Sequence, residues 1–197
     1  MSPTTSITEH RATSSSTARI VARRMISFVG FPLGGLAGLL LVGPVVSTPS
    51  ALAGGLVTGA VLGLVQGWAL RADGRFLAAW TGATAAGLAV GLAVGTLSVD
   101  YGSGLGDLAI QGVCSGAAVG LAQAVLLWPR IGRIALAWPA YLAGAWAAGW
   151  AVTTSIGVEV SDRFTVFGAG GALVTTVLTA ALPVLLAGPA RAAGRTR

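Results

Sequence analysis

Two glutamines are the uncharged side chains best placed for polar chemistry in this sequence. Gln66 and Gln123 both lie inside long apolar segments. Each follows a glycine by three residues, Gly63 or Gly120, and so lies near the helix face that carries those glycines. A buried amide in a membrane needs a hydrogen-bond partner, usually on a neighbouring helix. We expect both glutamines to bond between helices; the alternative is a polar station on a solute path.

Few other residues could carry catalysis or bind a metal. The one histidine, His10, lies in a polar N-terminal segment, and the one cysteine, Cys114, has no basic partner. Proton relays and ion-coupled transporters usually place an ionisable group in mid-membrane, and no apolar segment holds one at its centre. The sequence has no phosphate-binding loop and no zinc-protease motif. We therefore expect no catalytic residue, no metal site, no cofactor and no enzymatic activity.

The acidic residues cluster between apolar segments. Asp107 and Asp162 directly precede the fourth and sixth apolar segments, and Ser50 directly precedes the second. The spacing between Ser50 and Asp107 equals the spacing between the two glutamines. Ser and Asp are preferred N-cap residues of helices. We expect all three to cap helices. The alternative is cation capture by Asp107 and Asp162 together with Asp100 and Glu159.

The composition around these residues indicates a helical membrane protein. Of the 197 residues, 54% are hydrophobic and 9% are charged, whereas soluble proteins average about 25% charged residues. Six apolar segments approach the roughly 20 residues that span a bilayer: 25–46, 51–70, 76–98, 108–128, 134–156 and 164–187. They are longer than the alternating segments of about 10 residues in membrane barrels. The predicted fold is all-α, a polytopic membrane protein with six transmembrane helices.

Arginine placement predicts the orientation of these helices. All twelve basic residues are arginines, the net charge is +6, and six alternating helices would leave only Arg163 on one side. An excess of arginine marks the cytoplasmic side. We expect a multi-pass protein of the inner (plasma) membrane with both termini in the cytoplasm. Because the arginines separate apolar runs and do not share a soluble face, we expect no nucleic-acid partner.

The tryptophans divide into two groups. Four lie at the arginine side, where interfacial tryptophans are expected: Trp68, Trp80, Trp128 and Trp138. Trp146 and Trp150 lie in mid-segment, four residues apart, and we expect them to face lipid or to pack in the core.

The two ends of the chain differ in composition from its centre. Residues 1–24 form a polar arm with ten Ser or Thr among the first seventeen residues, and we predict that it is disordered. Residues 25–187 form the membrane domain, and 188–197 form a tail that contains arginine. A rival interpretation makes the first apolar segment a signal peptide cleaved after Ala53. The length of that segment and the repeat described next argue against it.

Glycines four residues apart recur through the first four apolar segments, and small residues at this spacing let membrane helices approach closely. The predicted helix-packing residues are Gly30, Gly34, Gly38, Gly55, Gly59, Gly63, Gly87, Gly91, Gly95, Gly112, Gly116 and Gly120. Equivalent glycines of alternate segments are separated by the same interval as the two glutamines. This regularity predicts three repeated two-helix hairpins around an axis along the membrane normal. The alternative use of the glycines is to line a narrow pore or groove. Leu92 lies off the stripe, and we expect it to tolerate alanine.

The repeat resembles that of a broad group of uncharacterised bacterial multi-pass membrane proteins with G-x3-G-x3-Q-W motifs and a nearby arginine. The residues that carry the resemblance are Gly59, Gly63, Gln66, Trp68 and Arg71, with Gly116, Gly120 and Gln123. This chain inserts Gly67 before Trp68, lacks a tryptophan after Gln123 and has no glutamine in its third copy. The resemblance spans residues 25–187 and implies no known activity.

The sequence therefore predicts an environment and a fold, and says less about activity. We expect a small integral inner-membrane protein with a structural or complex-assembly role. The alternative is a passive channel or small transporter for an uncharged solute. The expected partners are the lipid bilayer and either another membrane protein or a second copy of the chain in a homo-oligomer.

Overall fold

The computed structural model describes residues 22, 23, 25, 27–156 and 169–179. This part of the chain is helical and contains no strand. Its six α-helices are α1 Gly30–Val42, α2 Thr48–Ala69, α3 Gly74–Ser98, α4 Leu105–Ile131, α5 Trp138–Ser155 and α6 Ala169–Leu178. Short 3-10 helices, Ser27–Val29 and Gly132–Ala137, precede α1 and α5.

The six helices close into a ring. Each helix packs against the next one in the chain, and α6 packs against α1 and the 3-10 turn before it. One buried cluster fills the centre and takes side chains from every helix, among them Phe31, Leu62, Trp80, Val119 and Trp146. The ring therefore has an inner face, which this cluster fills, and an outer face.

The outer face of the ring is apolar. Leu41 on α1 is 75% exposed and Val125 on α4 is 72% exposed, and similar side chains continue around the other helices. Three helical stretches of the described chain are long and apolar enough to cross a membrane: Thr48–Ala69, Gly74–Ser98 and Leu105–Ser155, the last of which contains both α4 and α5. Together these features indicate a membrane location.

The helix boundaries differ from the predicted segments at two places. The first apolar helix, Ser27–Val42, is shorter than a usual span, because Gly43 turns to a φ of +89° and Pro44 follows it. The fifth segment opens inside a 3-10 helix that precedes α5, and α5 carries a proline in its first turn. The arm 1–24 apart from residues 22 and 23, the sixth segment outside 169–179 and the tail 188–197 lie outside the described residues.

The predicted N-caps were wrong by three residues at α2 and α4. Ser47 is the N-cap of α2, and Ser50 is its third helical residue, completing a capping box. Asp107 is likewise the third residue of α4, and its Oδ2 accepts a bond from the Gly104 N–H at 3.1 Å. A side chain at this position reaches back to the first turn's unpaired donors, so a cap residue need not directly precede the apolar run. Asp162 and Glu159 lie outside the described residues.

Candidate functional site

Gln123 links three helices in the centre of the ring. It lies on α4 and is 2% exposed. Its Oε1 accepts a hydrogen bond from the indole N–H of Trp138 on α5 at 2.9 Å, and its Nε2 donates to Oγ1 of Thr84 on α3 at 3.0 Å. Because an indole N–H can only donate, the bonded amide atom at Trp138 must be the oxygen. Both ends of this amide are therefore satisfied inside the protein.

Gln66 makes a similar contact earlier in the chain, with a longer hydrogen bond. It lies on α2 and is 8% exposed, and its Oε1 accepts a bond from the indole N–H of Trp80 on α3 at 3.3 Å. Its Nε2 has no hydrogen-bond partner among the described residues, whereas the same atom of Gln123 is bonded to Thr84. The two predicted polar stations are thus brought to one region, but only at Gln66 does the amide nitrogen have no hydrogen-bond partner among the described residues.

A small cavity lies between the two glutamines. Its volume is about 10 Å³, which is close to the minimum that holds one water molecule. Its lining comes from all six helices: Phe31, Gln66, Trp80, Val119, Gln123, Trp138, Leu142, Trp146, Thr175 and Thr179. Thr179 directly follows α6. Its spacing from Gln123 in the sequence is nearly the same as the spacing between Gln123 and Gln66. One polar residue from the C-terminal end of α2, α4 and α6 therefore borders the same cavity.

The α6 side of the cavity supplies hydroxyl groups. Oγ1 of Thr175 donates to the carbonyl of Ala145 on α5 at 3.1 Å, and Oγ1 of Thr179 donates to the carbonyl of Thr175 at 2.9 Å. A hydroxyl that donates its one proton keeps lone pairs that accept. Both threonines line the cavity, and the hydroxyl of Thr175 keeps lone pairs that can accept a hydrogen bond there.

Two of the four tryptophans that the sequence places at the membrane interface are buried among the helices. Trp80 is 1% exposed and Trp138 is also buried, because their indole N–H groups reach Gln66 and Gln123 inside the ring. Trp68 and Trp128, in contrast, are about half exposed. One signal was present in the sequence: each glutamine precedes its tryptophan by nearly the same distance, 14 or 15 residues.

The aromatic residues in the middle of α5 belong to the core. Trp146 and Trp150 are both buried, which agrees with the core alternative and not with the lipid-facing one. The Trp146 ring meets Phe31 of α1 edge to face, with centroids 5.8 Å apart. This contact joins α5 to α1, and both rings line the cavity.

The twelve predicted packing glycines are all buried, and those for which a contact is resolved face a neighbouring helix. On α2, a methyl carbon added at Gly59 would lie 2.6 Å from Cα of Ala85 on α3. On α3, one added at Gly91 would lie 2.6 Å from Cα of Ser115 on α4. On α4, one added at Gly116 would meet the carbonyl of Leu142 on α5. The backbones along these three seams are too close for any larger residue.

Contacts at the first and last seams are equally close. A methyl carbon added at Gly34 on α1 would lie 2.7 Å from the carbonyl oxygen of Thr58 on α2, and Oγ1 of Thr58 donates to the Gly34 carbonyl at 3.0 Å. At Gly171 on α6, an added methyl carbon would meet the Gly149 carbonyl of α5. Glycines therefore lie at close contacts between each pair of consecutive helices from α1 to α6.

Leu92 lies in a buried contact of α3, although it is off the glycine stripe. It was expected to tolerate alanine because it lies off the glycine stripe of α3. It is buried against Val45, Ala51 and Ala93, so this expectation was wrong. The buried face of α3 is wider than its glycine stripe, since it packs against both α2 and α4.

Arginine side chains lie over aromatic rings near the same end of the ring of helices. The Arg23 guanidinium lies 4.1 Å from the ring centre of Trp68, and its Nη2 donates to the Trp68 carbonyl at 3.2 Å. The Arg130 guanidinium lies 3.9 Å from the ring centre of Phe76. Cations in this position are attracted to the aromatic face. The basic residues therefore pack against the ends of α2 and α3, a short distance along the chain from Gln66 and Trp80.

The centre is chemically a neutral hydrogen-bonding site. Its polar lining consists of amides, hydroxyls and indoles, and none of these titrates near neutral pH. Among the described residues no group of three His, Cys, Asp or Glu side chains could hold a metal ion. Such a centre can bind a small uncharged molecule or hold helices together. No protein-family model, curated protein or solved structure matches this chain.

Proposed function

We propose that the protein is a small integral inner-membrane protein with a structural or complex-assembly role. The observation that carries this proposal is the packed centre of the ring, where Gln123 bonds to two other helices and the cavity that the described residues form beside it is only about 10 Å³. A conducting path needs space through the whole bilayer. A tightly packed centre inside an apolar outer face suits a scaffold for other membrane proteins.

Six membrane spans follow from the helices under this proposal. The long stretch Leu105–Ser155 divides at Gly132, where φ is +56° and a 3-10 helix intervenes, so α4 and α5 each cross once. Ser27–Val42 is short, and adding the apolar residues on either side brings it near the length of a span. The exposed arginines then lie in the loop between α2 and α3 and in the turn between α4 and α5. Both loops fall on one side, with the two termini.

The orientation has a direct test with single cysteines. In a Cys114→Ser background, Ser103→Cys is expected to react with an impermeant thiol reagent added outside intact cells. Asp73→Cys is expected to stay unlabelled until the cells are opened, because the arginine-rich side faces the cytoplasm. Labelling of position 73 and protection of position 103 would reverse the topology.

Three repeated hairpins are also part of the proposal. Support comes from the two Gln–Trp pairs, which join α2 to α3 and α4 to α5. Further support comes from Ser50 and Asp107, which occupy the same third position in α2 and α4. The third copy has Thr179 at the place of the glutamines. A threefold arrangement of this kind has its axis along the membrane normal, through the cavity.

The glycine seams are proposed as the main force between the helices. Lipid tails are as apolar as leucine, so apolar surface alone gives helices little reason to associate in a membrane. Close van der Waals contact must replace it, and the approach at Gly59, Gly91 and Gly116 supplies such contact.

A passive channel for an uncharged solute is the second candidate, and the polar cavity beside Gln66 favours it. The two roles separate in one pair of experiments. Purification in mild detergent followed by mass spectrometry is expected to recover a fixed membrane-protein partner or a homo-oligomer at constant stoichiometry. Purified protein in liposomes is expected to leave glycerol and water flux at the level of empty liposomes. Raised flux without a fixed partner would favour the channel.

A further inference from the structure

We propose that the central cavity is a binding site for one water molecule, held by the free amide donors of Gln66. This inference concerns the ligand of the cavity and does not rest on the structural or assembly role. The site would form part of the folded protein in either of the two candidate functions.

The space and the polarity of the cavity fit one water molecule. A volume of about 10 Å³ lies at the lower limit for a single water and excludes larger solutes. Buried cavities stay empty when their lining is apolar, whereas a water with two to four polar partners is stable. This lining contains two glutamines, two threonines and the two tryptophans that bond to the glutamines.

Some donor and acceptor atoms of the lining can each form a further hydrogen bond, and one water molecule could form several of these bonds. The Nε2 group of Gln66 has two protons and no partner among the described residues. The Oε1 atom of Gln123 accepts one bond from Trp138 and has a second lone pair, and the hydroxyl of Thr175 has given its proton to Ala145. A water can accept from Gln66 and donate to Gln123 or Thr175. It therefore completes the amide that the described residues leave incomplete.

The chemistry of the lining selects a neutral ligand. Among the described residues no charged side chain borders the cavity, and an ion that lost its hydration shell there would find no opposite charge. The difference between the two glutamines also sets the position of the water. Nε2 of Gln123 already donates to Thr84, whereas Nε2 of Gln66 has no partner among the described residues, so the water belongs on the Gln66 side.

Water-oxygen (17O) relaxation dispersion of the protein in detergent micelles counts internal waters with long residence times. The test variant is Gln66→Met, which keeps the side-chain length and removes the donors. Gln111→Met is the matched control, because Gln111 is also a buried glutamine but does not line the cavity. The expected result is one fewer long-lived water in Gln66→Met than in the wild type, with the control unchanged.

Equal counts in wild type and Gln66→Met would overturn the proposal, and so would an equal loss in both variants. A second measurement covers the case in which Gln66→Met does not fold. A high-resolution map of the wild type is expected to contain a density peak at hydrogen-bond distance, about 3 Å, from Nε2 of Gln66. A map without that peak would also overturn the proposal.

Discussion

The seams between neighbouring helices and the polar centre of the ring join the same six helices by different means. At the seam between α3 and α4, Gly91 brings two backbones so close that an added methyl carbon would lie 2.6 Å from Cα of Ser115. At the centre, Gln66 and Trp80 meet at 3.3 Å beside an open cavity. The backbones at the seams leave no room for a larger side chain, whereas the centre contains a small cavity and the amide nitrogen of Gln66, which is unbonded among the described residues. Small changes in side-chain volume should therefore matter more at the seams than changes of polarity at the centre.

Energetic magnitudes lead to the same ranking. Overpacking a tight contact typically costs about 1–3 kcal/mol and occasionally more. Hydrogen bonds between membrane helices average about 0.6 kcal/mol, with about 1.7 kcal/mol at most, because the alternative states in the bilayer also find partners. Variants of the seams and of the centre on the same helices test this ranking.

The largest effect is expected at the seam glycines. Gly91→Leu and Gly116→Leu would each force a branched side chain between touching backbones. We expect each to reduce the free energy of unfolding by at least about 3 kcal/mol, measured by thermal unfolding in detergent. Gly91→Ala is the milder test, and we expect it to be destabilising as well.

Gly82 supplies the matched control on the same helix. It is exposed on α3 with nothing within 4 Å of an added methyl carbon. Alanine has a better helix propensity than glycine by about 1 kcal/mol, so Gly82→Ala is expected to be neutral or stabilising. If Gly91→Ala and Gly82→Ala unfold at the same temperature, the glycine stripe faces lipid or an open space. The seam interpretation would then fail and the pore alternative would gain.

An intermediate effect is expected from Gln123→Leu. The change removes two hydrogen bonds and leaves the indole of Trp138 without its acceptor. We expect a loss of about 1–2 kcal/mol, smaller than at the seams, with any liposome flux unchanged. Chemical denaturation and flux of the same preparation measure both. A variant as stable as wild type but without a flux that the wild type possesses would make Gln123 part of a solute path.

The sequence predicted the helices well because hydrophobic length and turn residues are local signals. The predicted segment 76–98 and α3, Gly74–Ser98, end at the same residue. Prediction failed where a residue's partner lies on another helix. In the sequence Trp80 has the features of an interfacial residue. Its burial depends on Gln66, which is 14 residues away in the chain and accepts a hydrogen bond from its indole. Leu92 failed for the same reason, because Val45 and Ala51, which help to bury it, come from the chain before α2 and from α2 itself.

The capping residues show a different limit. Ser50 and Asp107 were correctly placed at the beginnings of helices, but the N-cap lies three residues earlier in each case. Polar residues inside the first turn are compatible with a helix, since the backbone donors there have no intrahelical partner. Hydropathy alone therefore places a helix start too late whenever its first turn is polar.

The smallest effect is expected from Gln66→Leu, which contrasts the two Gln–Trp pairs. Gln66 makes one long bond to Trp80, whereas Gln123 makes two shorter ones. We expect a loss of about 0.5 kcal/mol or less. Double-mutant cycles with the tryptophan of each pair changed to phenylalanine isolate the bond from the volume that each single change removes. The coupling in the Gln123–Trp138 cycle should exceed that in the Gln66–Trp80 cycle. Equal couplings would mean that neither the bond length nor the additional Thr84 contact changes the coupling energy. The two Gln–Trp pairs would then be energetically equivalent despite their different surroundings. A larger coupling for Gln66 would reverse the argument and make the half-satisfied glutamine the stronger link between hairpins.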